Sequence, residues 1–61
     1  MNEYDIKRLA LILAIQTEVE AMKTENLYWS SMKKPLTYLQ EDFIKKSEEL
    51  RELAYKHNEQ L

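Results

Sequence analysis

The longest unbroken apolar run in the chain is Leu9-Ala10-Leu11-Ile12-Leu13-Ala14-Ile15. On a helix, seven consecutive apolar residues make every side greasy at that level, and one partner helix covers only one side. Two stripes emerge from this run. Ile12, Ile15, Val19, Met22, Asn26 and Trp29 recur at alternating spacings of three and four. That is a seven-residue repeat, the mark of a helix packing at a shallow angle. Followed backwards, the same seam holds Arg8 and Asp5, so its apolar part begins near Leu9. Roughly opposite, Ala10, Ala14, Thr17, Ala21 and Thr24 keep the same spacing with small side chains, which let helix backbones approach closely. A large seam and a small seam on opposite sides predict a helix packed between two neighbours. The alternative is that alanine and threonine simply fill a solvent face, but Leu9, Leu11 and Leu13 flank it.

The pattern predicts one domain over residues 1–61: a first helix at about 3–32, a turn at 33–37 and a second helix at about 38–60. Asn2 is the expected N-cap, with Glu3 and Asp5 in the first turn where the helix dipole favours acid. Lys33 and Lys34 suit the C-terminal end, and Pro35 cannot continue the helix. Thr37-Tyr38-Leu39-Gln40 matches a capping box, followed by Glu41 and Asp42. In the second helix Leu39, Phe43, Leu50, Leu53 and His57 hold the seven-residue repeat, Lys46 interrupts it, and Ile44, Ser47, Ala54 and Leu61 widen it. The other side offers Glu41–Lys45, Lys45–Glu49, Asp42–Lys46 and Glu52–Lys56 as four-residue ion pairs on a solvated face. A short connection makes the two helices antiparallel neighbours. The shorter second helix runs out near the level of Leu9 to Ile12, so the apolar run needs cover from outside the hairpin. The expected assembly is a homo-oligomer, a dimeric four-helix bundle or larger, with Leu9, Ala10, Leu13, Ala14, Thr17 and Ala21 at the interface.

Composition agrees with an all-α fold. The 61 residues include no glycine and one proline, so tight strand turns lack their usual residues. A chain this short buries only about 60 % of its unfolded surface and is marginal unless stapled or oligomeric. Cysteine is absent, which rules out a disulfide and fits a reducing, cytoplasmic location. One histidine without cysteine argues against a structural zinc site, and no other metal or cofactor is implied. Nine basic and eleven acidic residues argue against bulk electrostatic binding of nucleic acid. The start of the chain is acidic where a secretory signal is basic, and the apolar run falls far short of the roughly 18 residues of a membrane span.

No catalytic constellation stands out. His57 lies on the second helix's stripe with no serine, cysteine or aspartate one turn away to form a nucleophile–base pair. Most carboxylates have a lysine or arginine one turn away, and nothing suggests a pocket that perturbs them. The chain is therefore expected not to be an enzyme. Asn26 occupies a seam position, where it either sets register and oligomeric state or marks the bend of the first helix towards the turn. Gln16 lies near the apolar run. The richest candidate surface is the hairpin tip, where Tyr28, Trp29, Met32 and Tyr38 sit beside Lys33 and Lys34. Such a set could anchor a protein partner, stack on bases while lysines hold phosphates, or simply plug the end of the bundle.

From Glu25 onward the order of features resembles small uncharacterised helical-hairpin proteins of phages and prophages. The features are Glu25-Asn26, a basic turn, Tyr38, Phe43 and Ser47-Glu48-Glu49-Leu50-Arg51-Glu52-Leu53. A glycine often ends the first helix in those proteins, whereas Lys33 or Lys34 stands there here. The resemblance covers about half the chain and implies a phage-type accessory protein without assigning an activity. The sporulation aspartyl-phosphate phosphatases are also short hairpins, but Arg51 replaces their functional aspartate, so that activity does not carry over. The plasmid copy-control RNA binder resembles this chain in architecture alone, and fold does not imply function. The expectation is a non-enzymatic, self-associating hairpin that binds and modulates or inhibits a protein target. The alternative is a nucleic-acid or nucleotide-binding bundle that uses Tyr28, Trp29, Lys33, Lys34 and Tyr38.

Overall fold

Twenty-nine residues without glycine or proline form one continuous helix, α1, Glu3–Ser31. In the computed structural model, which describes residues 2–61, α1 is followed by α2, Gln40–Tyr55, and a single 3₁₀ turn at Asn58–Gln60. The result is an antiparallel two-helix hairpin about 47 Å long, with no strand among the described residues. Asn2 caps α1 as its residue type predicts: its side-chain oxygen accepts the Asp5 N–H at 2.9 Å.

The inner seam follows the seven-residue repeat. Arg8, Ile12, Ile15, Val19, Asn26 and Trp29 are half-buried, and Met22 is buried. Facing them on α2 are Phe43, Lys46, Ser47, Leu50 and buried Leu53. Among the described residues, Met22 and Leu53, each 6 % exposed, are the two that form the core of the single chain. Leu39, Ile44, Ala54 and His57, expected on the stripe of the second helix, are exposed instead.

α2 is shorter than the expected 38–60, and both ends have a cause in the partner helix. At its start, the Asn26 amide donates to the Tyr38 carbonyl at 2.8 Å and accepts the Tyr38 N–H at 2.9 Å. With both main-chain groups taken by a side chain of α1, Tyr38 is held out of the helix. The cap moves from Thr37 to Leu39, and the Asp42 carboxylate accepts the Leu39 N–H at 2.9 Å. That is the reciprocal half of a capping box, since leucine has no side-chain acceptor of its own. Asn26 thus joins α1 to the turn. It fixes register within the hairpin through the main chain, not through a second asparagine.

At the far end Arg8 does the equivalent. Its guanidinium donates to the Leu53 carbonyl at 2.8 Å, the Lys56 carbonyl at 2.6 Å and the Asn58 side chain at 3.4 Å. Terminal carbonyls of a helix lack intrahelical partners and carry partial negative charge. A guanidinium with five donors satisfies both needs. Beyond Tyr55 the chain turns out at Lys56, makes the 3₁₀ turn, and brings half-buried Leu61 back to α1, where Lys7 donates to its main-chain oxygen.

Among the described residues the ion pairs also differ from the four expected along the second helix. Lys46 pairs with Glu18 across the hairpin and with Glu49 at 3.2 Å along α2, while Lys23 pairs with Glu20 at 3.1 Å on α1. Lys46 does not interrupt the seam. It lays its aliphatic stem between the helices and delivers the ammonium to a carboxylate of each.

Candidate functional site

The tip is built around the end of α1. The Lys33 N–H bonds to the Ser30 carbonyl and the Lys34 N–H to the Trp29 carbonyl, both at 3.0 Å. This is a Schellman closure, and its left-handed position normally takes glycine. Here Lys33 occupies it with φ 57°. The side chains that the sequence grouped together divide in two. Trp29 and Tyr38 turn inward and are half-buried, closing the end of the hairpin. Tyr28, Lys33 and Lys34 face solvent, with Tyr28 56 % exposed. The Tyr28 and Trp29 rings meet edge to face, centroids 5.1 Å apart at 75°, an arrangement that suits aromatic quadrupoles. The tip therefore presents one aromatic ring and two ammonium groups, and met at this end is also exposed Met32.

Below the tip a groove of about 470 Å³ is lined by Ala21 and Met22 of α1 and by Tyr38. Glu18, Glu25, Asp42 and Glu49 stand around it with Lys45 and Lys46. Three of the four carboxylates already have partners: Lys46 holds Glu18 and Glu49, and Asp42 caps α2. The hydrogen bond that Lys46 donates to the Glu18 carboxylate, then the one it donates to Glu49, raises the Lys46 pKa above its ordinary value. The ammonium thus stays charged throughout the neutral range, as a fixed ion-pair centre and not a proton donor. His57 is exposed beyond the end of α2, its main-chain N–H donating to the Gln60 side chain at 3.2 Å. Among the described residues no acidic, histidine or cysteine cluster is placed to hold a metal ion, and no helix is long and apolar enough to cross a membrane.

The outer face of α1 is the more distinctive surface. Leu9 is 44 % and Leu13 52 % exposed, and Ala10, Ala14, Thr17 and Ala21 are exposed with them. Ile6, 56 % exposed, belongs to the same stripe. Its spacing of three from Leu9 and four from Ala10 was the available signal, obscured because Ile6 lies outside the unbroken apolar run. Ile6, Leu9, Ala10, Leu13, Ala14 and Thr17 follow the i, i+3, i+4, i+7 pattern of a buried helix face, yet none of the described residues covers them. The Thr17 hydroxyl donates to the Leu13 carbonyl and the Thr24 hydroxyl to the Glu20 carbonyl, each at 2.9 Å. Those hydroxyls are satisfied within the helix, so the stripe holds no charge from residue 6 to 17 and makes no outward polar demand.

No protein-family model matches the chain, and neither a curated protein nor a solved structure is detectably similar to it.

Proposed function

We propose that the protein is a non-enzymatic, phage-type accessory module: a helical hairpin that self-associates through the outer face of α1 and uses its tip to bind, and so modulate or inhibit, a protein target. The observation that carries this reading is the exposed stripe Leu9, Ala10, Leu13, Ala14 and Thr17, set against a core in which, among the described residues, only Met22 and Leu53 are buried. Exposed contiguous apolar surface on a small chain marks an interaction site. The tip supports the second half of the reading. Tyr28, Lys33 and Lys34 are exposed together at the closed turn, and an aromatic with flanking cations is a common protein anchor.

Size exclusion with light scattering, recorded at 260 and 280 nm, tests the self-association and shows whether nucleotide or nucleic acid accompanies the chain. The expected result is a mass of two chains or more with a protein-only spectrum. Ala14→Glu, which puts a charge in the stripe, should return the mass to one chain or unfold the protein; unchanged mass and helicity would overturn the interface. A wild-type preparation with excess absorbance at 260 nm would favour the second reading, a nucleotide or nucleic-acid binder, for which the exposed Tyr28 ring beside Lys33 and Lys34 is the supporting feature.

A further inference from the structure

Resting on that self-associating reading, we propose that the occupant of the outer face is a second copy of this chain, packed antiparallel on α1 about a two-fold axis at the level of Leu11 and Ile12. Two observations converge on it. The first is area. The chain exposes 5095 Å², whereas a folded monomer of 7.4 kDa is expected to expose roughly 4200 Å². The surplus, roughly 900 Å², is about one partner's share of a standard protein interface.

The second is the order of sizes along the stripe. Ile6, Leu9 and Leu13 are large, whereas Ala10, Ala14 and Thr17 are small. Antiparallel pairing about residues 11 and 12 sets Ile6 opposite Thr17 of the second copy and Ala10 opposite its Leu13. Each of these central layers then joins one large residue to one small one, the condition for two helices to interdigitate at close range. A parallel pair in register does the reverse. It stacks leucine on leucine and alanine on alanine, alternately crowding the seam and leaving gaps in it.

The antiparallel arrangement sends the two tips to opposite ends of a four-helix assembly, making it bivalent for whatever the tip binds.

Because the chain has no native cysteine, cross-linking reads the register directly. Ile6→Cys and Thr17→Cys are oxidised separately and as an equimolar mixture, with light scattering on each. In the antiparallel dimer each introduced residue lies roughly 16 Å along the axis from its own copy. That is beyond the roughly 7 Å Cα separation a disulfide tolerates. Neither variant alone should cross-link, and the mixture should give a covalent dimer of one chain of each kind. Cross-linking of either variant alone means a parallel seam and overturns the proposal. If both variants stay dimeric but do not cross-link even when mixed, the dimer uses another face, and the proposal also fails. A monomeric wild type defeats the underlying reading, a result distinct from either.

Should the cysteines themselves weaken the dimer, a nitroxide on Lys23→Cys reports from outside the seam. It should give a label separation of roughly 35 Å for the antiparallel pair. A separation under about 20 Å belongs to the parallel one and overturns the proposal.

Discussion

The two sides of α1 carry similar apolar content but are specified differently. The inner side, through Ile12, Ile15, Val19 and Met22, ends in two polar residues that act as pins: Arg8 on the last carbonyls of α2 and Asn26 on the main chain of Tyr38. The outer side, through Ile6, Leu9, Leu13 and Thr17, has none, and its threonine hydroxyl is spent on its own helix. Hydrophobic burial is non-directional, so a seam of aliphatic side chains tolerates sliding by a turn. Directional hydrogen bonds at both ends of the inner seam remove that freedom. The lesson is that the hairpin's register is set by side chain-to-main chain bonds, while an outer interface has only shape to define it.

The largest expected effect breaks the inner side. Leu53→Ala removes one of the two buried residues and should cost about 2–4 kcal/mol, as truncated buried leucines do. Leu13→Ala, at 52 % exposure in the single chain, should cost less than about 0.5 kcal/mol if nothing covers it. Urea unfolding across a hundredfold range of protein concentration separates the cases, because dimer stability follows mass action. The Leu53→Ala loss should persist at every concentration, whereas the Leu13→Ala loss should grow as the chain is concentrated. A Leu13→Ala loss that does not vary with concentration would mean that the outer face is solvent-facing and equivalent to any exposed helix surface.

A middle-sized effect removes the pins. Asn26→Ala strands the Tyr38 N–H and carbonyl in a half-buried site, and Arg8→Met keeps the aliphatic bulk while freeing the α2 carbonyls. Each should cost about 1–3 kcal/mol, the price of leaving such groups unpaired. The effects should also be local. Hydrogen exchange should quicken in residues 36–42 for Asn26→Ala and in residues 53–60 for Arg8→Met, while the middle of α1 keeps its protection until global unfolding. Exchange that rises uniformly along the chain in both variants would mean these residues act through general stability, and the contrast between pinned and unpinned sides would lose its basis.

These pins also mark where the sequence stops being readable. The inner seam, the Asn2 cap and the all-helical hairpin were legible because each rests on local spacing or on a residue type with a local job. Ile12 to Trp29 follow one period, Asn2 bonds three residues on, and Pro35 stops a helix by its own ring. The ends of α2 were not legible. Asn26 reaches twelve residues ahead and Arg8 forty-five, and nothing near residue 38 or 55 announces that a side chain from α1 will take its main chain. Lys46 was misread for the same reason. A lysine in a heptad looks like an interruption until the opposite helix is known to place Glu18 beside it. At the tip the aromatic–lysine cluster was visible, but which members face inward depended on the Schellman turn. With lysine at its left-handed position, that turn has no glycine to advertise it.

That lysine supports the smallest prediction, and it acts on neither side of α1. A non-glycine residue at φ 57° pays a steric cost of about 1–2 kcal/mol between its Cβ and the adjacent carbonyl. Glycine avoids that cost but loses more backbone entropy on folding, which returns part of the gain. Lys33→Gly should therefore stabilise the hairpin by ~0.5–1 kcal/mol, measured by urea midpoint at constant m-value. Since residue 33 touches neither the inner seam nor the outer stripe, the gain should be the same in dilute and concentrated protein, unlike the Leu13→Ala effect. The variant also removes one of the two exposed ammonium groups at the tip. A more stable protein that binds its target more weakly would tie Lys33 to binding, because the turn alone is better served by glycine. Unchanged or lower stability would show that the turn relaxes around lysine, and that its left-handed backbone carries no strain for glycine to relieve.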